Sequence, residues 1–186
     1  FSICVFLIIS IYKPAYSTNT ANDSSNLTSI GSGTQNSGFG TSALSAMITG
    51  HGNSGYGYNS LQMNNGTGNT AVGSWALTDN VSGDYNNAFG RRSLLANQSG
   101  SSNMALGYQS LTSNTSGSNN VVMGHQSGYS NQTGSGNIFL GYQSGYNETG
   151  SNKLYIDNTN TSTPLIYGDF DTDKVTINGD MSVTGN

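Results

Sequence analysis

An asparagine recurs at a nearly fixed spacing along most of this chain, at Asn36, Asn53, Asn69, Asn86, Asn103, Asn120 and Asn137. Five of the six intervals are seventeen residues and one is sixteen. Each Asn is followed four residues later by a glycine, at Gly40, Gly57, Gly73, Gly90, Gly107, Gly124 and Gly141. Each is also preceded by a glycine three residues earlier, from Gly33 to Gly134. Self-similarity at this period is the signature of stacked repeats, in which every unit buries its face against its neighbours. It constrains the fold more tightly than any local propensity.

The rest of the unit repeats too. Beyond the second glycine come two variable residues and then a small one: Ala43, Ser60, Ala76, Ser93, Ser110, Ser127 or Ser144. A leucine follows in the first five units (Leu44, Leu61, Leu77, Leu94, Leu111), and Gly128 and Gly145 replace it in the last two. Glycine twice per unit would weaken a helix by about 1 kcal/mol each time. Two short strands per unit, joined by Gly- and Asn-rich turns, fit better. One unit cannot fold alone. Ordering its seventeen residues costs on the order of 25 kcal/mol, and two buried large side chains return only roughly 3–6 kcal/mol. The remainder must come from neighbouring rungs, which predicts an all-β parallel solenoid or roll. Identical amides one rung apart, at ~4.8 Å, can then hydrogen-bond as a ladder.

Two columns beside the Asn carry the apolar residues. The position before the second glycine is Phe39, Tyr56, Val72, Phe89, Leu106, Met123 and Leu140, and is expected to face inward. The position before that is Gly38, Gly55, Ala71, Ala88, Ala105, Val122 and Phe139, and a strand turns it to the opposite face. Facing outward, Ala71, Ala88, Ala105, Val122 and Phe139 would form an apolar stripe that brings copies of the chain together. The alternative is a second internal layer.

Composition narrows the function. Only 8% of the chain is charged and the formal net charge is −4, so it carries no basic footprint for nucleic acid. Low charge and a strict period also argue against a disordered segment. Residues 1–17 are different: an apolar run from Phe1 to Tyr12, then Lys13-Pro14, then Ala15-Tyr16-Ser17. That reads as a secretory signal peptide lacking its basic start, with an anchor helix as the alternative. Cleavage there would remove Cys4, the single cysteine, so disulfides could not stabilise the exported chain. Residues 18–30 read as a linker, 31–150 as the solenoid, and 151–186 as a β-rich connector that stops in mid-strand, so the gene is expected to continue. Leu154–Asp157, Pro164–Phe170, Lys174–Asn178 and Met181–Thr184 are the expected connector strands.

The strand motifs Asn69-Thr70-Ala71-Val72-Gly73, Asn86-Asn87-Ala88-Phe89-Gly90 and Asn103-Met104-Ala105-Leu106-Gly107 resemble the head repeats of YadA-like trimeric autotransporter adhesins. The Gly-Tyr-Gln-Ser stretches at 107–110 and 141–144 look more like repeats of adhesin-like and phage tail-fibre-like proteins. The wording around Lys-Leu-Tyr-Ile-Asp-Asn and Val-Thr-Ile-Asn-Gly-Asp resembles the connector of tail-fibre proteins that carry an endosialidase-type chaperone. The resemblance implies a left-handed parallel β-roll and three chains side by side, with a unit longer here than the family's typical one. It implies a non-enzymatic, exported adhesin or fibre shaft at the cell surface, binding an unidentified protein or glycan of a host surface or matrix. The alternatives are a phage-type tail fibre or tailspike segment, or an ice- or surface-binding solenoid. The leader favours the cellular adhesin, because virion proteins are not normally exported in this way.

Little points to catalysis or cofactors. His51 and His125 lie in different repeats and different register positions, and the repeats hold only Asp79, Asp84 and Glu148 as acids. A calcium roll needs an Asp in each turn, and a glycan hydrolase needs clustered carboxylates. Asp169, Asp171 and Asp173 are spaced somewhat like an EF-hand loop, but Lys174 stands where that loop needs glycine. They read as a solvated turn, with a weak cation site as the alternative. Five sequons at Asn80, Asn97, Asn114, Asn131 and Asn147 follow the period; turn chemistry explains them better than glycans do. Tyr58, Arg91, Tyr108, His125 and Tyr142 occupy one register position and, with Gln109, Gln126 and Gln143, form a candidate ligand column. The same residues would serve equally as a stacking ladder.

Overall fold

The computed structural model describes residues 20–21, 33–46 and 49–184. The leader reading and Cys4 lie outside them. No helix occurs among the described residues. The strands are β1 (Thr20–Ala21), β2 (Ser37–Phe39), β3 (Ser54–Tyr56), β4 (Thr70–Val72), β5 (Asn87–Phe89), β6 (Met104–Leu106), β7 (Val121–Met123), β8 (Ile138–Leu140), β9 (Lys153–Ile156), β10 (Ile166–Asp169) and β11 (Lys174–Ile177). They form one eleven-stranded sheet in sequence order. From β1 to β9 every pairing is parallel and in repeat register, for example Met104 opposite Val121 and Val121 opposite Ile138. The fold is the expected parallel β-solenoid with rungs of about seventeen residues. The sheet reaches beyond the counted repeats at both ends. β1 lies within the segment read as linker, and β9 continues the roll before β10 and β11 turn antiparallel. Met181–Thr184, expected as a strand, is exposed and unpaired chain.

Each rung has one strand, not two. The opposite side is a chain of turns, which still bond rung to rung: Leu44 N donates to Ser60 O, Leu61 N to Ala76 O and Leu77 N to Ser93 O, each at 3.0 Å. The turn backbone is left-handed at the leucines, with φ of 56° at Leu44 and 50–51° at Leu61, Leu77, Leu94 and Leu111. A left-handed non-glycine residue costs roughly 1–2 kcal/mol. Leucine persists there because its side chain, fully buried in all five rungs, builds the core.

The two apolar columns face opposite to the expectation. Ala71, Ala88, Ala105, Val122 and Phe139 are fully buried inside the roll, whereas Phe39, Tyr56, Val72, Phe89, Leu106 and Met123 are 37–44% exposed. Volume decides this. The inner column must share a thin interior with the leucines. A Cβ on Gly38 would already lie 3.2 Å from Leu44 Cδ1, and one on Gly55 would lie 3.1 Å from Ser60 Oγ. Only Gly or Ala fits beside a leucine. In the last two units Gly128 and Gly145 stand in place of leucine, and the inner residue grows to Val122 and then Phe139. The Phe139 ring fills the vacated space: a Cβ on Gly145 would meet its Cδ1 and Cγ at 2.7 Å.

A double-mutant cycle checks this exchange of volume. Phe139→Ala should cost about 3–4 kcal/mol in chemical denaturation, as large-to-small changes in packed cores do. Adding Gly145→Leu, whose φ of 61° is close to that of the native leucines, should recover at least a third of the loss. No recovery would contradict the packing account.

Two ladders of buried amides run along the roll. In the first, the backbone N and Nδ2 of Asn53 donate to Asn36 Oδ1 at 2.8 and 3.1 Å, and Nδ2 also reaches Gly66 O at 2.8 Å. The pattern continues to Asn137, whose Oδ1 accepts from Lys153 N at 2.9 Å and so ties β9 to the roll. In the second, Asn97 Nδ2 donates to Asn80 Oδ1 at 2.6 Å and Asn114 Nδ2 to Asn97 Oδ1 at 2.7 Å. Both satisfy turn carbonyls that no strand partner could reach.

Candidate binding surfaces

The outer face of the sheet is built from two columns that flank the buried one. The first is Ser37, Ser54, Thr70, Asn87, Met104, Val121 and Ile138; the second is Phe39, Tyr56, Val72, Phe89, Leu106, Met123 and Leu140. Neither contains a charge. From β6 onward both are wholly apolar, with Met104 45%, Leu106 41%, Val121 39% and Met123 44% exposed. Beyond them a hollow of about 470 Å³, bordered by Leu140, Ile156 and Leu165, carries the apolar face toward the connector. An uncharged apolar face this long is unusual on a surface that meets only water. The residues named from sequence as the interface stripe are in the core, and the interface candidate moves one residue to either side.

The column of Tyr58, Arg91, Tyr108, His125 and Tyr142 is one continuous ladder on the surface. Trp75 meets Tyr58 edge to face at 5.3 Å. The Arg91 guanidinium sits 5.1 Å from the Trp75 ring centre and 5.7 Å from that of Tyr108. His125 is stacked between Tyr108 and Tyr142 at 5.2 Å from each. Alongside, Gln126 donates to Gln109 at 3.1 Å and Gln143 to Gln126 at 2.9 Å. Neighbouring rungs cover the faces of Tyr108 and His125, whereas Tyr58 and Tyr142 at the two ends are 47% and 51% exposed. Sugar recognition by ring stacking needs a free face, so the middle of this column serves the roll first. Sequence reading missed Trp75, which lies one position off the register yet joins the same ladder.

Two of the three acidic candidates are paired with a cation of the chain itself. Lys153 Nζ lies 3.0 Å from Asp169 and 3.8 Å from Asp171, and Asn152 Nδ2 donates to Asp171 at 2.8 Å. The hydrogen bond to Lys153 holds the Asp169 carboxyl below its usual range, and the same bond raises Lys153. Asp173 is exposed at the turn. Asp169 and Asp171 therefore help tie β9 to the β10–β11 hairpin, while Asp173 stays on a solvated turn.

Four of the five sequon asparagines, Asn80, Asn97, Asn114 and Asn131, are fully buried, and the first three form rungs of the second amide ladder. A folded roll cannot present them to a glycosylating enzyme. Asn147 is exposed, with Nδ2 bonded to Asn160 Oδ1 at 2.8 Å.

At the C-terminal end of the roll, Tyr155 donates to Glu148 Oε2 at 2.7 Å, and Gly150 N donates to Glu148 Oε1 at the same distance. Burial, then the bond to Glu148, pushes the Tyr155 phenol well above its ordinary value of 10. The folded protein thus holds this proton more tightly than the unfolded chain. The stabilisation is complete below pH 10 and is lost as pH rises beyond it. Tyr155→Phe should flatten the alkaline limb of a stability–pH profile measured by urea titration.

Searches against protein-family models, curated proteins and solved structures return no match to this chain.

Proposed function

We propose that this chain is a repetitive β-solenoid segment of an exported fibre or adhesin, self-associated through the outer face of its sheet. The observation that carries this reading is the pair of uncharged outward columns that end in Met104, Val121 and Ile138 beside Leu106, Met123 and Leu140. Covering them removes from water a face that a lone roll leaves exposed, at about 25 cal/mol per Å² of apolar area. Three copies is the number that the YadA-like resemblance implies. A shaft of this kind acts without chemistry. It holds several copies of a binding surface at a distance from its anchor, and attachment gains from multivalency.

The test is the mass in solution of the chain lacking residues 1–17, by light scattering on a sizing column. A trimer is expected. The double variant Leu106→Lys with Met123→Lys should be a folded monomer, because three like charges per position would have to be buried together. A wild-type chain that runs as a folded monomer overturns this reading.

A further inference from the structure

Two cavities of about 190 and 290 Å³ adjoin where the last rung meets the hairpin of β10 and β11, sharing Tyr155 and Ser162 as walls. We infer that they form a cleft for a neutral sugar. The first cavity is lined by Asn147, Glu148, Thr161 and Ser162, and the second by Tyr167, Thr176 and Asn178 among others. Its chemistry is that of hydroxyl recognition. The Glu148 carboxylate is held by Tyr155 Oη and Gly150 N, one bond to each oxygen, which fixes its direction while leaving each oxygen further acceptor capacity. Asn147 is fixed by Asn160, and Asn178 Nδ2 by Pro164 O at 2.7 Å. These polar groups are therefore in place before a ligand arrives, which limits the ordering cost of binding. The half-buried Tyr167, braced by the buried Tyr155 in edge-to-face contact at 5.3 Å, adds an aromatic wall suited to the C–H face of a pyranose. No Lys, Arg or His lines either cavity, and Glu148 contributes a negative charge, so an anionic sugar has no counter-charge here. The middle of the surface ladder lacks this combination, since the faces of Tyr108 and His125 are covered by neighbouring rungs.

The cleft gives the proposed fibre a ligand class and rests on that reading only for its biological setting, because it lies within a single chain. The experiment is saturation-transfer NMR on the full chain with millimolar methyl glycosides of glucose, galactose, mannose and N-acetylglucosamine. The methyl glycoside of N-acetylneuraminic acid and a simple alkylamine serve as contrasts. At least one neutral glycoside should show transfer, and neither contrast should. Ser162→Trp, at an exposed position, fills both cavities and should abolish the signal with the thermal midpoint unchanged. Glu148→Gln keeps the shape and should weaken binding about tenfold. Absence of transfer to every neutral glycoside, transfer that survives Ser162→Trp, or preference for the sialoside or the amine would each overturn the assignment. The solution mass reports on self-association independently, so failure of one leaves the other standing.

Discussion

Asn103→Ala should destabilise the protein by about 4 kcal/mol, because it removes four buried hydrogen bonds and orphans one buried N–H, at about 1 kcal/mol per bond and roughly 1–3 kcal/mol for the orphaned group. Asn103 is 1% exposed in the middle of the first amide ladder. Its backbone N and Nδ2 both donate to Asn86 Oδ1 at 3.0 Å, and Nδ2 donates again to Gly117 O at 2.9 Å. Its Oδ1 accepts from the N and Nδ2 of Asn120 at 3.1 and 3.0 Å. Alanine leaves Asn120 N inside the roll without its acceptor, while Gly117 O keeps one donor, Asn114 Nδ2 at 3.0 Å. Asn103→Asp is expected to be at least as damaging, since a carboxylate cannot donate to Gly117 O or Asn86 Oδ1. The exposed Asn147 provides the control, and Asn147→Ala should stay within about 0.5 kcal/mol of wild type, as surface substitutions do. Urea denaturation of the three variants decides the matter. A loss below about 1 kcal/mol for Asn103→Ala would mean that the ladder contributes little.

Gly73→Ala should cost about 4 kcal/mol, combining backbone strain with overpacking. Gly73 has a φ of 135°, a conformation that L-residues rarely adopt. A Cβ there would lie 2.6 Å from Gly90 C, 2.7 Å from Gly90 O and 3.0 Å from Arg91 N. Those atoms are backbone of the next rung, which the parallel pairing of β4 with β5 holds in place, so no side chain can swing aside. The same column is glycine in every rung from Gly40 to Gly141, because each approaches the backbone above it. The rungs form one stack, so the substitution should lower the midpoint of the whole solenoid rather than melt a single unit. Far-UV dichroism against denaturant would show this as a shifted cooperative transition. An unshifted transition would refute the close-approach account.

The period, the Asn ladder and the stacking direction were legible because each depends on one residue type recurring at one position. The second ladder was visible only as a column of sequons, and its burial was not readable. A turn asparagine that points inward and one that points outward have the same sequence. The candidate ligand column is visible in the sequence as one register position, along which Tyr108, His125 and Tyr142 stack. Its continuity as a stack depends on Trp75, Arg91 and Arg92 converging in space, with Arg92 5.5 Å from the Trp75 ring. The roles of Asp169 and Asp171 followed from Lys153, sixteen or more residues away in sequence and adjacent only because β9 and β10 pair.

The inside and the outside of the strand required the tertiary structure most of all. A three-residue strand with apolar side chains at both parities offers two registers, and hydrophobicity alone favours the larger residues for the core. The fold buried Ala71, Ala88 and Ala105 and left Phe89 and Leu106 outside. Its reason is steric: a rung of about seventeen residues encloses room for one leucine and one small residue, or for glycine and phenylalanine. The sequence by itself determined that the chain must stack, through a repeat too small to bury its own core. The thickness of the roll, which exists only once the rungs have closed on one another, decided which face is core and which is left for a partner.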